Sequence, residues 1–493
     1  MTKRQASTET ATQARTVKPR RRASEASAEP VVERVPRKRD VRPKAREADF
    51  VVIGAGSGGV AAARRAASHG ARVILVERDA IGGTCVNRGC VPKKMLSYGA
   101  GWASILSTCL SHTGGKEDWR DAIVRVNAEV ARLNASYKQR LNEAGVEIWH
   151  GDASFNERGD IVVGNEVIRA GKTLIATGAS PIELPVPGGE LVSSSDDLFT
   201  WQTLPASICV IGGGYIAVEM ASILSRYGVK VDLLVREDRL LPKFDHEIAG
   251  ALAEALIAKG IRIHFRTEVT MVSQSNGAFD VCYTQEDNRG RTQTVRTQAV
   301  LAAIGRKPNV DGLGLDDLDV KRDSKGGIKV DRQFRSSVRS IHAIGDCMAD
   351  NVHLTPVAIA QGRWLADRLF GRRGDMTDFE FLPTAVFCEP AIGAVGLTEA
   401  QAIEEAGGKA DRIRTEIKRF VSLESRFGGV PQQSVFKLVF NARSGRVLGV
   451  HLMDGAAPEI VQTMALALRL GAKASHLQTT MPLHPTVAEE LFG

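Results

Sequence analysis

The sequence predicts an α/β chain made of two parallel-sheet domains and a smaller α+β domain at the C-terminus. Three observations carry this. Asp49-Phe50-Val51-Val52-Ile53 and Ile208-Cys209-Val210-Ile211 are short apolar runs, each followed by a glycine-rich turn, a helical pattern and a second apolar run. Along the 493 residues, strand and helix signals alternate in the manner of βαβ crossovers, which implies parallel sheets. Towards the C-terminus the rhythm changes: residues 435–440 and 447–453 read as antiparallel strands, followed by a helix over 458–470.

The first turn reads Gly54-Ala55-Gly56-Ser57-Gly58-Gly59, or G-x-G-x-x-G, and its helix reaches about His69. Gly54 serves a tight turn, Gly56 lets a pyrophosphate approach bare backbone, and Gly59 lets the helix pack on the strand. The phosphates then rest on the helix N-terminus, where amides point outward. The next strand, 72–76, ends at Glu77, in the position where a carboxylate accepts hydrogen bonds from an adenosine ribose. The second turn, Gly212-Gly213-Gly214-Tyr215-Ile216-Ala217, is G-x-G-x-x-A, with its next strand over 231–235. Here the position matching Glu77 is Val235 and the following residue is Arg236. A guanidinium in place of a carboxylate grips a 2′-phosphate and favours NADP over NAD, although an exposed arginine at a strand end is the plainer alternative. Both parallel-sheet domains are therefore Rossmann-like dinucleotide-binding domains.

Gly82-Gly83-Thr84-Cys85-Val86-Asn87-Arg88-Gly89-Cys90 places two cysteines five apart just after the first dinucleotide unit. They could form a small structural disulfide or half of a zinc site. A metal knuckle calls for a second C-x2-C pair, which Cys109, Cys209, Cys282, Cys347 and Cys388 do not form, so no metal is expected. Seven cysteines in so long a chain are no secreted disulfide framework either. A redox-active dithiol is favoured, and with it FAD on the first domain and NADPH on the second. A helix is expected over 84–106, a long amphipathic helix over 121–144 and a β meander over 147–168, with Thr173-Leu174-Ile175-Ala176-Thr177-Gly178 closing the first domain.

The net charge of +8 lies wholly in residues 1–48, which hold 14 Lys or Arg against 6 Asp or Glu; the remainder carries 51 of each sign. That segment has no aromatic residue and reads as a disordered basic extension. It has no apolar stretch of the secretory kind, and its acids argue against a transit peptide, so a cytoplasmic location is expected. A solvated tail is the simplest reading and nonspecific contact with nucleic acid the alternative. No apolar run approaches the roughly 18 residues a membrane helix needs, so no membrane partner is expected.

From about Asp49 to its end the chain resembles the flavin-dependent pyridine nucleotide-disulphide oxidoreductase family, and within it the glutathione reductases. The residues that carry the resemblance are 85–94, Ile341-His342-Ala343-Ile344-Gly345-Asp346, Leu354-Thr355-Pro356-Val357-Ala358, and His484-Pro485-Thr486 with Glu489; Ala303-Ile304-Gly305-Arg306-Lys307-Pro308-Asn309 resembles the stretch that re-enters the flavin region. The resemblance implies an FAD-binding domain over 49–178, an NADPH-binding domain over 179–308, a central FAD-contacting segment over 309–381 and an interface domain over 382–493. It implies that Asp346 holds the FAD ribityl chain, that Thr355 sits near the ring, and that Thr84, Thr177, Lys93 and Gly305 line the cofactor alongside the glycine turns. Cys90 would lie nearer the flavin and Cys85 would attack the substrate disulfide. Lys93 would face Glu219, a role that Lys94 could also take.

His484, oriented by Glu489, is the expected proton donor, and the family places it in the partner subunit's active site, implying a homodimer with shared sites. Glutathione disulfide is the implied substrate: its carboxylates suit Arg64 and Arg363, with Ser57 and Tyr137 matching further substrate-side positions. Pro242 stands where many glutathione reductases carry a second arginine, which weakens the expected NADPH preference. The alternatives are a related reductase of another low-molecular-weight disulfide and a non-catalytic flavoprotein whose tail binds nucleic acid.

Overall fold

The computed structural model describes residues 45–110, 116–286, 290–371, 374–376, 379–429 and 431–492, so most of the expected basic extension, residues 1–44, lies outside the described residues. Strand β1 (Arg46–Ile53) leads through helix α1 (Ser57–Ser68) to β2 (Val73–Glu77), its parallel neighbour. Three helices follow, α2 (Gly83–Asn87), α3 (Cys90–Leu110) and α4 (Lys116–Glu143). The chain then forms β3 (Glu147–His150), β4 (Ala153–Phe155), β5 (Ile161–Val163) and β6 (Glu166–Ile175). β3, β2, β1 and β6 lie side by side in parallel, and the late strand Ile341–Ala343 completes the layer against the end of β6. Phe50, Val51 and Val52 in β1 and Ile74, Leu75 and Val76 in β2 are all buried. These runs are continuously apolar rather than alternating because both faces of the parallel sheet are covered, by α1 and by strand and loop residues such as Phe155, Ile161 and Leu313.

Three expectations need correction. Strand β1 starts at Arg46, so residues 46–48 belong to the first sheet and not to the extension. The single helix expected over 84–106 is two helices, broken at Arg88 (φ −147°). Gly89 is the reason: a Cβ there would come within 2.9 Å of the Thr84 carbonyl oxygen, so the chain doubles back before restarting at Cys90. The meander over 147–168 begins one strand late, because β3 pairs in parallel with β2 and only β4, β5 and the start of β6 run antiparallel.

The second half repeats this plan. Strands Arg262–His264, Lys230–Leu234, Ser207–Ile211, Ala299–Ala302 and Ser193–Ser194 form a parallel sheet in that spatial order. Helix Tyr215–Arg226 follows the second glycine turn. An antiparallel triplet, Thr267–Ser275, Ala278–Gln285 and Thr292–Thr297, stands where β4 to β6 stand in the first half. The C-terminal layer is a five-stranded antiparallel sheet whose helix Ala457–Arg469 packs on it through Val461, Met464 and Leu468. The buried Lys437 ammonium ties this sheet to the second half by reaching Asp245 at 2.9 Å as well as Glu399 at 2.7 Å. No helix among the described residues is long and apolar enough to cross a membrane.

Candidate active site

The site is built where helix N-termini meet. Ser57 opens α1, Cys90 opens α3, and Thr355 opens the helix Thr355–Phe370. Glycine permits the meeting: α1 crosses Thr355–Phe370 so closely that a Cβ on Gly362 would stand 2.5 Å from the Gly58 carbonyl oxygen. A Cβ on Gly83 would likewise stand 2.7 Å from Gly56 Cα, which brings the α2 turn onto the first glycine turn. Cys85 therefore faces Ser57, and the Cys90 sulfur lies 3.8 Å from Thr355 Oγ1.

Both thiols are free and interact as a pair. The hydrogen bond from Cys85 pulls the Cys90 thiol down to about 6, aided by Lys93 and Thr355 against the cost of burial. The same bond, with burial, pushes the Cys85 thiol well above its ordinary range. The unequal pair thus holds its proton on Cys85 and its charge on Cys90, and the helix N-termini at Cys90 and Thr355 favour that charge.

Behind the dithiol, Lys93 Nζ donates to Glu219 Oε1 at 2.7 Å, with both side chains buried. The structure puts Lys93, and not Lys94, on Glu219; the Lys94 ammonium sits 3.9 Å from the Phe387 ring centroid. Burial raises the Glu219 carboxyl, opposed by Lys93 and by the Phe387 backbone amide, which donates to Glu219 Oε1 at 2.8 Å.

The two glycine turns have matching geometry. Gly54 (φ +102°) and Gly212 (φ +130°) both sit in a region where only glycine is unstrained, and a Cβ on either would collide with a carbonyl oxygen, of Ala176 and Ala303 respectively. Gly59 and Ala217 hold the helix-packing positions; Gly59 admits no Cβ because the Gly54 carbonyl lies against it. Gly56 and Gly214 cap their helices with no side chain in the way, so both cradles fit a pyrophosphate. Glu77 accepts from the Ala55 amide at 2.6 Å, which fixes its carboxylate at the edge of the first cradle. Thr177 borders Gly54, and Asp346, its carboxyl raised by burial, lies in the short turn before the helix Thr355–Phe370. In the second cradle Tyr215 and Ile216 start the helix, Gly305 (φ +138°) follows the strand Ala299–Ala302, and Arg236 is 84% exposed.

Other expected residues lie around this centre. Thr84 is exposed on α2 beside Cys85. Arg64 and Arg363 are exposed two turns along α1 and Thr355–Phe370 from Ser57 and Thr355, and Tyr137 packs on the first core from α4. His484 Nδ1 pairs with Glu489 Oε2 at 2.8 Å, and the imidazole side chain is 80% exposed. Phe387, absent from the expectations, takes part through a backbone amide, a contribution that no side-chain pattern advertises.

With this geometry established, comparison places the chain: it belongs to the pyridine nucleotide-disulphide oxidoreductase family, whose model matches residues 48–362, with the family's dimerisation domain matching 382–492. It is an enzyme of that class, an FAD-containing, pyridine-nucleotide-dependent disulfide reductase. Among its relatives are a glutathione reductase of Burkholderia cepacia, 39% identical over 90% of this chain and 97% of the relative, and one of Nostoc sp., 38% identical over 90% and 98%. A glutathione reductase of Yarrowia lipolytica is 35% identical over 90% and 98%.

Proposed function

We propose that the chain reduces glutathione disulfide with electrons from NADPH, working as a homodimer through Cys85 and Cys90. The observation that carries this is the unequal dithiol, charged at Cys90 and protonated at Cys85, at the junction of three helix N-termini. Bound FAD and NADPH supply the two electrons that open the Cys85–Cys90 disulfide. The division of the chain follows: 46–178 for FAD, 179–308 for NADPH with Arg236 toward the 2′-phosphate, 309–381 for further FAD contacts, and 382–493 for the interface.

Cys85 must lose its proton to act, and His484 of a second subunit, held by Glu489, takes it. The Cys85 thiolate then attacks one glutathione sulfur; a mixed disulfide forms, the other glutathione leaves as a thiolate, and His484 returns the proton to it. The Cys90 thiolate next attacks the Cys85 sulfur, closes the intramolecular disulfide and releases the second glutathione. Lys93 and Glu219 keep a fixed charge pair beside Cys90 throughout. Arg64 and Arg363 support a substrate rich in carboxylates, being exposed cations with no hydrogen-bond or ion-pair partner among the described residues. A second subunit is supported by the match of residues 382–492 to the family's dimerisation domain and by Leu466, Leu470, Met481 and Leu483 there, all more than 60% exposed. Among the described residues, the cysteines outside the redox pair, Cys209, Cys282, Cys347 and Cys388, are unpaired, which suits the reducing cytoplasm.

The test is steady-state oxidation of NADPH by the purified protein with glutathione disulfide, trypanothione disulfide or lipoamide. Glutathione disulfide is expected to give the highest kcat/KM. Faster turnover of cationic trypanothione disulfide would overturn the substrate assignment.

A further inference from the structure

The loop that leaves the second parallel sheet, residues 235–241, is pinned over the second glycine turn. Leu241 N donates to Gly213 O at 2.8 Å, Arg266 N donates to Glu237 O at 3.0 Å, and the Val235 side chain fills the space beside Gly213, where a Cβ would meet it at 2.6 Å. The loop therefore offers its outward side chains to whatever lies on that turn. Two are cations, and each already has an acceptor. Arg236 donates through Nη2 and Nε to Glu237 Oε1 at 3.0 and 3.3 Å, and Arg239 Nη2 donates to the Pro242 carbonyl oxygen at 3.1 Å. The other two, Glu237 and Asp238, are exposed carboxylates, so the four consecutive side chains 236–239 carry no net charge.

A dianionic 2′-phosphate reaching Arg236 must first displace a carboxylate and then lie beside it. The pair is exposed, Arg236 by 84% and Glu237 by 50%, so water and salt weaken it, and displacement is costly without being prohibitive. An NADH ribose carries no such charge and meets no such cost. We propose that Glu237 is a specificity-determining residue which, by occupying Arg236, makes the protein discriminate between NADPH and NADH less sharply than Arg236 alone would. This rests on the reading that the second glycine turn receives the pyridine nucleotide. Glu237 acts here as a positioning residue, through the guanidinium beside it.

Isothermal titration of the holoenzyme with adenosine 2′,5′-bisphosphate and with 5′-AMP isolates the 2′-phosphate. E237Q is expected to tighten the bisphosphate by about two- to fivefold relative to 5′-AMP, the scale of releasing Arg236 from one exposed ion pair. That gain should vanish in an R236Q background, and the ratio of kcat/KM for NADPH over NADH should rise with it in E237Q. An unchanged ratio of affinities, the same gain without Arg236, or an equal gain from D238N would each overturn the role of Glu237. A wild-type protein that binds neither nucleotide and oxidises neither coenzyme would instead sink the functional reading, and this proposal with it.

Discussion

Cys90 titrates low because three neighbours favour its charge: the Cys85 thiol, Lys93 and Thr355. In the reduced protein its alkylation by iodoacetamide should be half-maximal near pH 6, the thiolate being the reactive form above that midpoint and the thiol below it. Lys93→Met should move the midpoint up toward the ordinary thiol range. The same change strands Glu219, whose side chain is 1% exposed, and should cost about 3 kcal/mol in denaturant unfolding at neutral pH, less at low pH where Glu219 protonates. Combining it with Glu219→Leu should recover part of that loss. A Cys90 midpoint that ignores Lys93 would show that the ammonium serves packing alone. The choice of Lys93 over Lys94 was not legible in the sequence, since two adjacent lysines offer the same chemistry and only the turn of α3 decides which faces Glu219.

At the scale of elements, the crossing of α1 with Thr355–Phe370 sets where Ser57 and Thr355 stand relative to the dithiol. Gly362→Ala places a methyl group against the Gly58 carbonyl oxygen, which is backbone and cannot swing aside. The two helices must part, at a cost of roughly 1–3 kcal/mol, and FAD content on purification should fall. Normal FAD content with unchanged stability would show that the crossing has slack. The glycine turns themselves were plain in the sequence, because positive φ and carbonyl contacts leave few other residues possible at Gly54 and Gly212. The break between α2 and α3 was hidden: residues 84–106 read as one helix, and the doubling back at Gly89 depends on a contact with Thr84 that appears only in three dimensions. Strand β3 was misjudged for a related reason, since a short strand carries no mark of the neighbour it will pair with.

Across the whole molecule, the order of the two halves and the C-terminal layer was readable from repeated glycine turns and a change of rhythm. The contact that joins distant parts at Glu219 was not, because Phe387 contributes a main-chain amide from 168 residues away. The exposed His484–Glu489 pair makes a prediction about assembly. Mixed dimers of Cys85→Ser and His484→Ala chains should regain one working site of two, about half the wild-type rate per dimer, whereas each parent should be nearly inactive; inactive verified heterodimers would mean that the site lies within one chain. The central claim, that electrons reach the substrate through Cys85 and Cys90, is tested most directly by thiol mapping. The oxidised holoenzyme is reduced anaerobically with one equivalent of NADPH per chain, alkylated and analysed by peptide mass spectrometry. Label should appear on Cys85 and Cys90, and adding one equivalent of glutathione disulfide before alkylation should abolish it while releasing two equivalents of glutathione. Glutathione formed with no change in the labelling of these two cysteines would contradict the account.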